Sequence, residues 1–177
     1  MMQHESLVIQ TTRKDHLVAG FAALAISIHL LESVIPSPVP GIKPGLANLI
    51  TLYVLLRHGW AMAASVSMLR VIGGSLLLGT FLSPTFIMSL AGALASLLVL
   101  IAAYRLPGKP LGAMGLAILA ALAHVLAQFL TAWALFIPHP SLFTLLPVLL
   151  TAALISGTLG GILLNKIMQR VDTRLSQ

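Results

Sequence analysis

Three ionisable residues interrupt apolar runs that are long enough to cross a bilayer: Glu32, Arg70 and His124. Ionisable side chains at membrane depth are costly, so each of them indicates a binding or transport site. His29 lies three residues before Glu32, and this spacing puts both on one face of a helix. Glu32 and Arg70 could form a structural ion pair, or Arg70 could contact a polar ligand, and the two interpretations are compatible.

Neutral polar residues and one further lysine extend this set. His124 and Gln128 are four residues apart among alanines, which is typical of interhelical hydrogen bonding and also fits a binding pocket. Asn48 begins a short apolar run and could cap it or reach into a cavity, while Lys43 could be solvated or add positive charge. The predicted substrate-binding residues are His29, Glu32, Lys43, Asn48, Arg70, His124 and Gln128.

The chemistry that the sequence lacks is equally informative. The chain has 4 acidic residues in all, far apart, so no aspartate-rich motif can hold magnesium and a diphosphate. Walker loops, Ser-His-acid triads and His-rich metal motifs are not visible, and cysteine is absent. We therefore predict no catalytic residues, no metal and no cofactor, and we expect any ATP to be handled by another polypeptide.

Composition predicts that lipid is the main solvent. The chain is 58% hydrophobic and 8% charged, with a mean hydropathy of +1.02, values that a soluble domain of this size could not carry on its surface. The net charge of +6 is spread singly between apolar runs, which argues against nucleic-acid binding. We expect contacts with membrane lipid instead.

Six apolar runs predict an all-α membrane bundle of six transmembrane helices. The second run has only about thirteen residues, roughly 20 Å at the helical rise, so we expect it to start inside the membrane. We predict three parts of the chain: a cytoplasmic segment 1–16, a transmembrane domain 17–168 with an outer loop 36–45, and a cytoplasmic tail 169–177. The runs are 17–35, 44–56, 60–81, 85–104, 111–136 and 143–168.

Basic residues predict the orientation. With the N-terminus inside, eight of the 10 Lys and Arg residues fall on the cytoplasmic side, which places both termini in the cytoplasm of a bacterial inner-membrane protein. The eight are Arg13, Lys14, Arg57, Arg105, Lys109, Lys166, Arg170 and Arg174. Lys43 falls outside and Arg70 within the membrane.

Two stripes of small residues predict close helix packing. Ala153, Gly157 and Gly161 on the last run favour packing within the chain, because small residues four apart let helices approach closely in lipid. The stripe on the first run could serve the same purpose or dock a partner subunit. It consists of Ala19, Ala23 and Ser27.

Four segments carry a family resemblance: residues 31–48 (LESVIPSPVPGIKPGLAN), 69–71 (LRV), 79–84 (GTFLSP) and 123–128 (AHVLAQ). Together they resemble the heptaprenyl diphosphate synthase component I family, also called the Gx transporter family. Pro44 departs from the family's pattern and could stiffen the outer loop. The resemblance implies an architecture similar to the substrate-binding S component of energy-coupling-factor transporters, with a pocket under the first outer loop.

The resemblance also implies partners and ligands. Family members are associated with flavin-dependent electron export and isoprenoid quinone metabolism, which suggests an isoprenoid, a quinone or a vitamin-like amphiphile as ligand. One hypothesis is a binding and transport subunit that an ATP-hydrolysing module energises from the first helix. The other is a membrane subunit of a complex for prenyl diphosphate synthesis or electron transfer, with a soluble prenyltransferase or flavoprotein partner.

Overall fold

The chain folds into an all-α bundle, described here from a computed structural model for residues 11–34, 46–106 and 111–175. Five of its helical segments are long and apolar enough to cross a membrane, namely α1, α3, α4, α5 and the segment 140–174. The protein is therefore a multi-pass membrane protein. The elements are α1 (Arg13–Val34), α2 (Leu46–His58), α3 (Trp60–Leu77), α4 (Pro84–Arg105), α5 (Ala113–Leu135), a 3-10 helix (Pro140–Leu145) and α6 (Leu146–Leu175).

The turn between α3 and α4 shortens the third predicted helix. α3 ends at Leu77 and not at residue 81, because Gly79 has a φ of 67°, the left-handed conformation that commonly follows a helix end. α4 then begins with a capped first turn, in which the Ser83 hydroxyl accepts a hydrogen bond from the Phe86 backbone N–H at 3.3 Å. Leu82 between them also has a positive φ, of 62°.

The last helix is longer than predicted. α6 continues to Leu175, past the predicted end at Met168, and α1 likewise starts at Arg13 instead of residue 17. Apolarity locates the part of a helix that lies in lipid, but a helix can continue into water with polar residues. At this end of α6, Asp172 accepts a hydrogen bond from Arg57 at the end of α2, and this bond raises the Arg57 pKa.

A shared apolar core closes one end of the bundle. α2 turns into α3 at Gly59, whose φ of 89° suits glycine, and we call this end of the bundle the Gly59 end. There a cluster of buried side chains draws on all six α-helices. Over their whole lengths, α1, α2 and α3 pack mainly against one another, as do α4, α5 and α6. Core members include Ala25, Leu55, Val66, Leu100, Leu116 and Leu164.

Basic residues mark the same end. The Arg105 guanidinium lies 5.4 Å from the centre of the Trp60 ring, and Arg57 meets Asp172 nearby. Residues predicted to be cytoplasmic thus meet at the Gly59 end. The side of the membrane that this end faces remains a prediction.

Two glycines bring α5 and α6 into backbone contact. A Cβ added at Gly157 would lie 2.8 Å from the Ile118 Cα, and one added at Gly161 would lie 2.6 Å from the Met114 Cα. Both glycines are buried, as is Ala153 one turn away. The prediction that this small-residue stripe packs within the chain is confirmed.

Large apolar side chains cover much of the outside. Leu98 on α4 is 66% exposed and Leu159 on α6 is 63% exposed. A water-soluble protein of this size would not expose so many such side chains. This surface fits lipid contact.

Candidate functional site

A cavity of about 520 Å³ lies between the two halves of the bundle, and all six α-helices line it. The structure places six of the seven predicted substrate-binding residues on its wall, and the seventh, Lys43, lies outside the described residues. Ligand contact by these residues remains a prediction. The six are His29, Glu32, Asn48, Arg70, His124 and Gln128.

Arg70 is the buried cation of the cavity. Its side chain on α3 is 6% exposed, and its Nε has no hydrogen-bond partner among the described residues. Glu32, which is 4% exposed, attracts the guanidinium electrostatically, without a salt bridge between the two in the described ranges. A buried guanidinium with an unused donor can bind a polar group of a ligand.

His124 brings a second polar group to the same place. Its ring lies against the backbone of Gly92 and interacts electrostatically with Arg70 and His29. The His124 side chain is close enough to Gly92 for a hydrogen bond with its backbone. The cavity therefore gathers charged and imidazole side chains from α1, α3 and α5.

Two glycines make room for the histidines. A Cβ added at Gly74 on α3 would lie 2.8 Å from the His29 Cδ2, and one added at Gly92 on α4 would lie 2.8 Å from the His124 Cε1. The Gly92 Cβ would also approach the Gln128 Cγ to 2.9 Å. These glycines position the imidazoles, and the sequence prediction did not include them, although Gly74 follows Arg70 by one helical turn.

The remaining wall is mostly apolar, with scattered hydroxyl groups. Phe86 and Phe129 are both buried beside the cavity. Ser75 lines it as well, but its hydroxyl donates to the Ile72 carbonyl oxygen at 2.8 Å within its own helix. Such hydroxyls were not predicted, since serine inside an apolar helix usually bonds to its own backbone. Apolar walls with a few polar groups suit an amphiphilic ligand.

Next to Phe129, an aromatic cluster flanks the cavity. The Phe143 ring of the 3-10 helix lies 5.2 Å from the Phe129 ring and 5.4 Å from the Trp133 ring. The cluster packs the 3-10 helix onto α5. It therefore helps to fix the wall to which Phe129 belongs.

The predicted partner-docking stripe lies away from the cavity. Ala19, Ala23 and Ser27 are all exposed on α1, whereas Ala22 and Ala25 face the interior of the bundle. The stripe is thus not used for packing within the described part of the chain. Docking of a partner there remains a prediction.

Metal-ligating residues are not grouped in the described ranges, where no three His, Cys, Asp or Glu side chains come together closely enough to hold an ion. The cavity chemistry is therefore that of one guanidinium, one carboxyl group, two imidazoles and neutral amides. This set can bind and orient a head group.

We expect Gly92→Ala to weaken ligand binding with little loss of stability. The new methyl group must displace the His124 ring and the Gln128 side chain, which are flexible enough to move. Gly73→Ala is a matched control, because its methyl group would meet Ile26, which does not line the cavity, at the same 2.8 Å. Native mass spectrometry measures the ligand occupancy of each variant, and the melting temperature measures its stability. Equal occupancy in both variants would contradict this expectation.

A family model matches most of the chain. The family model described as heptaprenyl diphosphate synthase component I matches residues 21–167. The match covers most of the chain, including every described residue predicted to bind substrate. No curated protein and no solved structure matches.

Proposed function

The chain belongs to the heptaprenyl diphosphate synthase component I family, and from this premise we propose that it is a membrane subunit that binds and transports a small amphiphilic molecule. The observation that carries the proposal is the cavity of about 520 Å³ with a buried charged cluster inside a mostly apolar wall. Its size falls in the range of small-molecule sites, roughly 300–1,000 Å³. An isoprenoid, a quinone or a vitamin-like molecule fits this description.

The roles of the cavity residues follow from their chemistry. Arg70 binds a polar or anionic part of the ligand, and Glu32 orients Arg70. Asn48, His124 and Gln128 supply neutral hydrogen bonds, while the aromatic and aliphatic wall holds the apolar part. Lys43, which precedes α2 in the sequence, is proposed to add a second positive charge to the site.

Transport requires an energy source outside this chain. We propose that an ATP-hydrolysing module docks on the exposed stripe of Ala19, Ala23 and Ser27, in the manner of S components of energy-coupling-factor transporters. Two features support this: the stripe is exposed, and its small residues allow close approach of another helix in lipid. Six spans with both termini in the cytoplasm complete the proposed arrangement.

A second candidate function is supported by the family description. The words "synthase component I" favour a membrane subunit of a complex that makes prenyl diphosphates. Membership of a flavin-dependent electron-transfer complex belongs to the same class of function. In either case a soluble prenyltransferase or flavoprotein carries out the reaction, and the cavity of this chain holds or delivers a lipid substrate.

Native mass spectrometry of the gently solubilised full chain tests the proposal. We expect one organic molecule to be bound per protein, which lipid extraction then identifies. A protein that carries no such molecule, and that co-purifies with a prenyltransferase or a flavoprotein, would replace the transport proposal with the second candidate. Co-purification with ATPase subunits, lost in Ala23→Leu and kept in Leu98→Ala, would support the transport proposal.

A further inference from the structure

We propose that the cavity binds an oxyanion, the phosphate or carboxylate head group of an amphiphile, between the Arg70 guanidinium and the N-terminal end of α2. This inference rests on the proposed function, because it assigns a head-group chemistry to the ligand that the function requires. Four features of the cavity carry it.

The first feature is where α2 begins. α2 has 13 residues, and Asn48 in its first turn lines the cavity. The N-terminal end of a helix carries a partial positive charge, because the peptide dipoles align and the first N–H groups point along the axis. A helix that starts beside a cavity directs this charge at the contents of the cavity, which favours an anion there.

The second feature is that Arg70 lies at the same height as this helix end. α2 and α3 form an antiparallel hairpin that turns at Gly59. Asn48 precedes Gly59 by eleven residues and Arg70 follows it by eleven residues. At the helical rise, both therefore lie about 16 Å from the turn. The two positive groups thus face the cavity from neighbouring helices at one level.

The third feature is an unused hydrogen-bond donor. The Arg70 Nε is buried and has no hydrogen-bond partner among the described residues. Buried polar atoms nearly always find a partner, so an unpartnered guanidinium nitrogen on a residue that lines the cavity indicates a polar group that completes the site. An oxyanion accepts several hydrogen bonds and matches a guanidinium.

The fourth feature is the competing charge of Glu32. Its carboxylate attracts Arg70, so it competes with an anionic head group for the same guanidinium. Removing this charge by Glu32→Gln should strengthen the binding of an anion. The same change should weaken the binding of an amine, which gains from a nearby carboxylate. Glu32→Gln therefore distinguishes the two head-group charges by the sign of its effect.

Four probes that share a farnesyl chain test the inference: farnesyl phosphate, farnesoate, farnesol and farnesylamine. Dissociation constants are measured with the full chain in lipid nanodiscs. We expect one or both anionic probes to bind about 10- to 100-fold more tightly than farnesol, the range of one or two charge-assisted hydrogen bonds. The ratio of farnesyl phosphate to farnesoate then tells which oxyanion the site prefers.

Two variants change the charge of the protein beside the proposed head-group site. Glu32→Gln should tighten the binding of farnesyl phosphate roughly 3-fold or more. Asn48→Asp should weaken the binding of farnesyl phosphate at least about 10-fold, because a carboxylate at the start of α2 repels the head group. The helix itself keeps its stability, since a negative charge is favourable at a helix N-terminus. Asn165→Asp, which adds the same charge at an exposed position on α6, is the matched control and should leave the affinity unchanged.

The outcomes distinguish a failure of the head-group assignment from a failure of the proposed binding function. If farnesol or farnesylamine binds as tightly as both anions, or if Glu32→Gln weakens the anions, the head-group assignment is wrong and the binding function stands. If none of the four probes binds and the purified protein carries no small molecule, the proposed binding function fails together with the assignment.

Discussion

Arg70→Met is expected to lose ligand binding by roughly 10- to 100-fold, the range of one or two hydrogen bonds to a charged group, while the melting temperature stays nearly unchanged. The reason lies in the surroundings of the side chain. Arg70 is buried, its Nε has no partner in the described part of the chain, and its attraction to Glu32 acts without a salt bridge. Methionine fills a similar volume without the desolvation cost of a buried charge.

The alternative is a structural ion pair between Arg70 and Glu32. Breaking such a pair costs about 3–5 kcal/mol, because the remaining charge is left uncompensated in a low dielectric. For a chain of this size the melting temperature would then fall by roughly 6 °C or more. The double variant Arg70→Met with Glu32→Gln removes both charges and would restore the melting temperature.

These outcomes separate the two roles of Arg70. Occupancy of the co-purified molecule, measured by native mass spectrometry, reports on ligand binding, and the thermal unfolding of the same sample reports on stability. A large loss of stability in Arg70→Met that the double variant repairs, with ligand occupancy retained in the double variant, would show that the pair is structural. A loss of occupancy at unchanged stability would assign Arg70 to the ligand.

The polar part of the site was predictable from the sequence. An ionisable residue inside an apolar helix must face the interior of the bundle, because exposure to lipid is costly. Glu32, Arg70 and His124 lie on three different helices, and the interior is where such residues can meet. In the structure all three line the same cavity. The solvent preference of single side chains was thus enough to group them.

The small residues of the site were not predictable in the same way. Gly74 and Gly92 matter to the site because the imidazoles of His29 and His124 occupy the space that a Cβ at each glycine would fill. A glycine in a membrane helix can instead serve helix packing, as Gly157 does. Only the neighbouring helix decides which role applies, and the sequence does not state which helices are neighbours.

Some helix ends were predictable from the apolar pattern and others were not. The short second helix was predicted from its apolar run, and in the described residues it spans Leu46–His58, two residues past the predicted end at residue 56. The end of α6 at Leu175 was missed, because its last turns are polar and hydrophobicity does not detect them. The predicted outer loop 36–45, with Lys43, lies outside the described residues.

Gly161→Ala should cause the largest loss of stability among single methyl additions to the α5–α6 contact. Its new Cβ would lie 2.6 Å from the Met114 Cα, a backbone atom that moves only if the whole helix moves. Overpacking of this kind typically costs about 1–3 kcal/mol. For a chain of this size we expect the melting temperature to fall by roughly 2–12 °C.

Gly160→Ala is the matched control, since it adds the same methyl group to the next residue. There the Cβ would lie 2.9 Å from the Leu49 Cδ2, the end of a flexible side chain that can rotate away. Gly20→Ala on α1 gives the baseline, because nothing lies within 4 Å of its Cβ and alanine favours helix. We expect the melting temperatures to rank Gly161→Ala below Gly160→Ala, and Gly160→Ala below Gly20→Ala. Equal values for the two neighbouring glycines would mean that α5 and α6 can separate freely at this contact, and that the close approach does not fix the α5–α6 wall of the cavity.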